Sequence, residues 1–141
     1  SPSRGRGDVY KRQDLFDLRV VRPLKLDAIF ESVRRTGRLL AIDTGWKILG
    51  PSAEIISQVV ENCFDSLKVP PQRLGLPDHP TPSSKSLAAA FYVRAEHLVF
   101  AISKISGLHA DTAARAAGKL AAERQSHPID VPLPSFQGPF Y

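Results

Sequence analysis

Residues 39–67, LLAIDTGWKILGPSAEIISQVVENCFDSL, decide the fold. Leu39, Leu40, Ala41 and Ile42 are apolar at successive positions, the pattern of a strand covered on both faces. Asp43 to Pro51 contains Gly45 and Gly50 and reads as a loop. Ser52 supplies a side chain suited to capping the helix that follows. In that helix Ile56, Val59, Val60, Cys63, Phe64 and Leu67 recur at helical spacing, with Glu54, Ser57, Gln58, Glu61, Asn62 and Asp65 between them. The spacing gives one buried face and one wet face.

On the N-terminal side, Leu15 to Val21 (LFDLRVV) is rich in β-formers and reads as a strand, ended by Arg22-Pro23 because proline cannot donate to a ladder. A helix is expected from Asp27, as N-cap, to Thr36. Ile29, Phe30 and Val33 form its stripe, Arg34 and Arg35 suit its last turn, and Gly37 is the stop. On the C-terminal side, Pro70-Pro71 closes the long helix and Gln72 to Leu76 is a short strand. Residues 77–83 (PDHPTPS) form a stiff loop. Ser84 caps a helix through Phe91, and another runs from Ala95 to Ser106 with Leu98, Val99, Ile102 and Ile105 on one side. An Ala-rich helix from Asp111 to Gln125 presents Ala113, Ala117, Leu120 and Ala121. His127 to Tyr141 holds four prolines and reads as an extended tail, with Phe136, Phe140 and Tyr141 available to a neighbour. Alternating strands and helices predict an α/β domain, a parallel sheet with helices on both faces.

The chain has 141 residues, 43% of them apolar, enough for one core. Cys63 is the only cysteine, which excludes an intrachain disulfide and a Cys-rich metal site and fits a reducing compartment. The net charge of +5 is uneven: residues 1–13 hold four cations against Asp8, leaving +2 for the other 128 residues. A body so nearly balanced gives no reason to expect nucleic acid as a partner. No apolar run approaches the roughly 20 residues of a membrane span, so no membrane partner is expected. The first 13 residues read as a disordered or non-native basic segment, of the kind left by a joining scar.

Several short runs in order carry a resemblance. They are Asp17-Leu18-Arg19, Arg22-Pro23-Leu24, Leu26-Asp27, Glu31-Ser32-Val33 and Thr36-Gly37-Arg38-Leu39-Leu40. Gly45-Trp46-Lys47, Ser52-Ala53-Glu54-Ile55, Pro77-Asp78 and Pro80-Thr81-Pro82 follow. Together, over about residues 15–105, they resemble the C-terminal domain of transketolase-like enzymes, above all the β subunit of thiamine-diphosphate-dependent 2-oxoacid dehydrogenases. The resemblance implies a three-layer α/β/α, Rossmann-like sheet over residues 14–106, cut short of the family's first strand and helix. The helix at 107–126 and the tail at 127–141 would extend it. It implies a parent oxidoreductase, located in the cytoplasm or the mitochondrial matrix, that decarboxylates a 2-oxoacid and passes the acyl group to a lipoyl carrier. It implies thiamine diphosphate and magnesium in that parent and neither here, since the cofactor-binding domains and a Gly-Asp-Gly metal motif are absent from these residues. It implies an assembly role, with the E1 α subunit, a second β subunit and the E2 acyltransferase core as partners, and no catalytic, cofactor or metal-ligating residue. Ser83, where the family often has tyrosine, and Leu49-Gly50-Pro51, where it is richer in glycine, depart from the pattern. A transketolase or a deoxyxylulose-phosphate synthase is the alternative parent.

Five residues are candidates for an anion site or an interface: Trp46, Lys47, Ser52, Asp78 and His79. Lys47 beside a helix start at Ser52 would suit a phosphate or carboxylate, making a small-anion-binding regulatory module the alternative function. Burial of the Trp46 ring, worth about 2–3 kcal/mol, is by itself sufficient to explain that residue and is the preferred reading. Asp78 next to His79 can fix an imidazole tautomer, or can simply shape a surface turn. Asp17 and Arg19 are expected to pair, and Cys63 to be buried and inert.

Overall fold

The structure is a computed structural model, and it describes residues 13–125. The readings for the basic start, apart from Gln13, and for the tail lie outside the described residues. The elements are α1 (Asp27–Thr36), β1 (Leu40–Trp46), α2 (Pro51–Cys63), β2 (Gln72–Leu76), α3 (Lys85–Phe91), α4 (Ala95–Ser106) and α5 (Ala110–Gln125), with a short 3₁₀ turn at Phe64–Ser66 after α2. β1 and β2 pair in parallel, Ile42 opposite Leu74 and Trp46 opposite Leu76. They form the only sheet among the described residues. A parallel pair needs a crossover, and α2 supplies it. α2 and α4 each pack against both strands, while α1 joins α2 and α5 joins α4.

The core lies between α1 and α2, where Leu26, Ile29, Val33, Ile55, Val59 and Cys63 are buried together. Gly37 ends α1 in a left-handed conformation (φ 74°), and its amide closes on the Val33 carbonyl at 2.7 Å. A side chain is disfavoured at that φ, so glycine is the natural stop. Asp27 sits in the first turn rather than at the cap. Leu26 is the N-cap, with its carbonyl accepting from Phe30 at 2.8 Å.

Four further expectations need correction. Leu15 to Val21 forms no strand. β-formers make a strand only where a neighbour satisfies their backbone, and no described strand lies beside them. The segment instead lies against the core through Leu18 and Leu24, and Asp14 anchors it by accepting hydrogen bonds from Ser32 and Arg35. Asp17 and Arg19 do pair, at 3.2 Å, but in full exposure to solvent. Second, β1 is not covered on both faces. It runs on to Trp46, and Ile42 on one face is half exposed while Ala41 on the other is buried. Third, Ser52 is not the cap of α2: Gly50 is, with Pro51 in the first turn. Fourth, Phe64 leaves the stripe, being 69% exposed beyond the end of α2. The buried face of α2 is Ser52, Ile55, Val59 and Cys63.

α4 and α5 run antiparallel, joined by Arg124 and Glu96 at 2.9 Å. Their seam is made of small side chains: Ala101, Ala113 and Ala117 are buried. Ala113→Leu would force a large side chain into this seam, and overpacking of that kind costs about 1–3 kcal/mol. A lowered thermal midpoint by circular dichroism is the expected result; an unchanged midpoint would mean the helices separate without cost. At the other end of α4, Arg38 Nε donates to the Ile105 carbonyl at 2.6 Å, placing a cation at the helix C-terminus.

Candidate interaction site at the carboxyl edge of the sheet

Both strands end at one edge, where Trp46 and Leu76 are in register. Residues 47–50 and 77–83 therefore start side by side. The Lys47 amide donates to the Leu76 carbonyl at 2.9 Å, and Arg73 donates to the Lys47 carbonyl at 3.0 Å. These bonds fix the backbone of the first loop and leave its side chains outside. Trp46 is 55% exposed, so burial does not account for its ring. Lys47, Ile48 and Leu49 are also exposed, and Leu49, at 96% exposure, takes a positive φ of 59°. A bulky residue in that region is strained by about 1–2 kcal/mol.

Ser52 points the opposite way. It is 1% exposed, on the face of α2 turned to the core, and its hydroxyl has no protein partner. Lys47 and Ser52 thus do not converge. The residue that does reach the start of α2 is Asp43. Its Oδ1 accepts from the Gly45 amide at 2.9 Å. Its Oδ2 is buried without a protein partner, 3.1 Å from where a Cβ on Gly50 would sit. This carboxylate complements the positive end of the helix. It also opposes any second anion there: like charges about 5 Å apart at an effective dielectric of 20 repel by about 3 kcal/mol. The sequence offered a signal for Asp43, an acidic residue two before a glycine in an Asx-turn pattern.

Asp78 and His79 lie exposed in the second loop. The His79 amide donates to the Pro77 carbonyl at 2.9 Å, and Nδ1 is 3.1 Å from the Pro80 carbonyl, a bond that needs its proton on Nδ1. The imidazole rests on Phe91 with ring centroids 5.1 Å apart. These contacts pin the loop to the end of α3, and Asp78 does not share a hydrogen bond with His79 in them.

The described residues do not fit a diphosphate and its metal. They contain no group of three or more His, Cys, Asp or Glu able to hold a metal ion. The start of α2 already has the Asp43 carboxylate beside it. No described helix is long and apolar enough to cross a membrane.

Residues 12–98 match the family model of the transketolase C-terminal domain. The chain belongs to that family. The match takes in the extended segment, α1, β1, α2, β2, α3 and the start of α4. Among known proteins, the chain is 38% identical over 92 residues to the mitochondrial pyruvate dehydrogenase E1 component subunit beta of Caenorhabditis elegans. That stretch is 64% of this chain and 26% of the relative. It is 40% identical over 74 residues to the mitochondrial subunit beta of Chaetomium thermophilum, 52% of this chain and 19% of the relative. It is 36% identical over 92 residues to the subunit beta of Porphyra purpurea, 65% of this chain and 28% of the relative. The chain spans about a quarter of the length of these curated relatives. Within this transketolase C-terminal domain, Gly45-Trp46-Lys47 and Pro77-Asp78, two of the motifs behind the resemblance, end the strands and open the loops of the same edge.

Proposed function

We propose that this chain serves as the C-terminal assembly domain of a pyruvate dehydrogenase E1 subunit beta, and that the reaction belongs to the whole enzyme. The observation that carries the proposal is the match over residues 12–98 together with two apolar side chains of β1, Ile42 and Trp46, that stay half exposed although α2 and α4 both pack on the sheet. Exposed apolar residues grouped at one edge suit a protein partner. In this reading Trp46, Lys47, Ile48 and Leu49 meet a neighbouring subunit, either E1 α or a second β, and the Asp78–His79 loop borders the same contact. Docking of the E2 core is a further role of the assembled domain. Thiamine diphosphate and magnesium are held elsewhere in the parent, which works in the mitochondrial matrix or, in a bacterium, in the cytoplasm. The named relatives favour this parent over a transketolase or a deoxyxylulose-phosphate synthase.

Two measurements test the proposal. Calorimetry of the purified chain with thiamine diphosphate and magnesium is expected to be silent; saturable binding with 2-oxoacid turnover by the chain alone would overturn it. Sedimentation is expected to show self-association, or association with E1 α, that Trp46→Lys and Ile42→Lys weaken. A chain that sediments as a monomer and ignores E1 α would count against an interface at this edge.

A further inference from the structure

The first turn of α4 is closed by a histidine. Arg94 is its N-cap, in an extended conformation, and the Arg94 amide donates to Nδ1 of His97 at 3.0 Å. Three residues into a helix, this is the place where a capping box uses glutamate or glutamine. Those side chains accept a hydrogen bond on either side of neutral pH. An imidazole accepts only while Nδ1 keeps its lone pair, and imidazoles take up a proton between about pH 5 and 8. His97 is exposed, so protons reach it freely.

We propose that His97 makes the start of α4 a proton-sensitive clasp. With His97 neutral, the Arg94 amide is capped, and Arg94 Nε ties the same residue back to the Ala89 carbonyl of α3 at 3.3 Å. Proton uptake removes the acceptor and sets a cation at the positive end of the helix, both unfavourable. The surrounding charges are mixed. Arg94, three residues away on the same turn, opposes an imidazolium. Glu96 favours one, but its carboxylate is engaged by Arg124 at 2.9 Å. Arg73 of β2 is bonded to the Lys47 carbonyl, Asp43 of β1 accepts from Gly45, and Arg38 sits at the far end of α4. The clasp therefore opens as pH falls, uncapping the first turn of α4, while the bond from Arg94 Nε to the Ala89 carbonyl, which does not involve the imidazole, stays.

The test is hydrogen exchange at the Arg94 amide in the full chain, expressed as a protection factor so that the intrinsic pH dependence of exchange cancels. Protection is expected to fall about five- to tenfold between pH 7.5 and 5.5, the effect of losing one capping bond. His97→Gln keeps an acceptor and should hold protection constant across that range, whereas His97→Ala should be low at both pH values. Unchanged protection in the wild type, or a pH dependence that persists in His97→Gln, would overturn the proposal. Amides in α1 report whether the chain as a whole remains folded.

Discussion

Gly50→Ala should destabilise the chain by about 2–4 kcal/mol. The backbone at Gly50 is not itself strained, since its φ is −80°. The difficulty is what a methyl group would meet. A Cβ there falls 2.2 Å from the Trp46 carbonyl oxygen and 3.1 Å from Asp43 Oδ2. A carbonyl of the main chain cannot rotate away as the end of a lysine can. The turn from Trp46 to Gly50 would have to open, pulling the Asp43 carboxylate from the start of α2. Leu49→Gly, one residue away, should act in the opposite direction. It relieves a positive φ at a side chain that buries almost nothing, and a gain of about 0.5–1 kcal/mol is expected after glycine's greater unfolded-state freedom is set against it. Urea unfolding of both variants settles the matter. Equal, small effects would mean that this turn is not held as described.

Val59→Ala should cost about 2–3 kcal/mol, against less than about 0.5 kcal/mol for Phe64→Ala. Val59 is fully buried at the centre of the α1–α2 core. Removing two methyl groups there loses their burial and leaves a cavity that helices on both sides cannot readily fill. Phe64 is the larger residue and falls on the same stripe by spacing, yet α2 stops at Cys63 and the ring turns outward. Denaturant midpoints compared at equal slope measure both. A Phe64→Ala loss as large as that of Val59→Ala would return Phe64 to the core.

Phe64 also marks the limit of what periodicity conveys. The stripe gives the direction of a helix face but not the residue where the helix ends. Bounds were legible where the chain carries its own punctuation. Gly37 closes α1, the proline pair opens the way to β2, and Ser84 caps α3 with its hydroxyl 3.4 Å from the Leu87 amide. The N-terminus of α2 had such a signal as well. Proline favours the first helical position, so Gly50-Pro51 outranks Ser52 as a starting point. Leu15 to Val21 could not be read correctly from composition, because strand formation depends on a neighbour and composition names none. At the candidate site, the sequence showed Trp46 and Lys47 following a strand end, whereas nothing in it brought the Asp78–His79 loop to the same edge; the parallel pairing of β1 and β2 does that. The position of Asp43 at the start of α2 depends on which way its carboxylate turns, and that is decided by the turn at Gly45 and the close approach at Gly50.

The parallel strands are separated only by one thirteen-residue helix and its two connections. Every backbone bond of the ladder therefore closes a short stretch of polypeptide, so the entropic search for this pairing is small. The ladder needs no residue beyond Leu76, so it can form before α4 exists to pack against it. Because Ile42 and Trp46 stay half exposed in the finished domain, their stickiness does not end with synthesis.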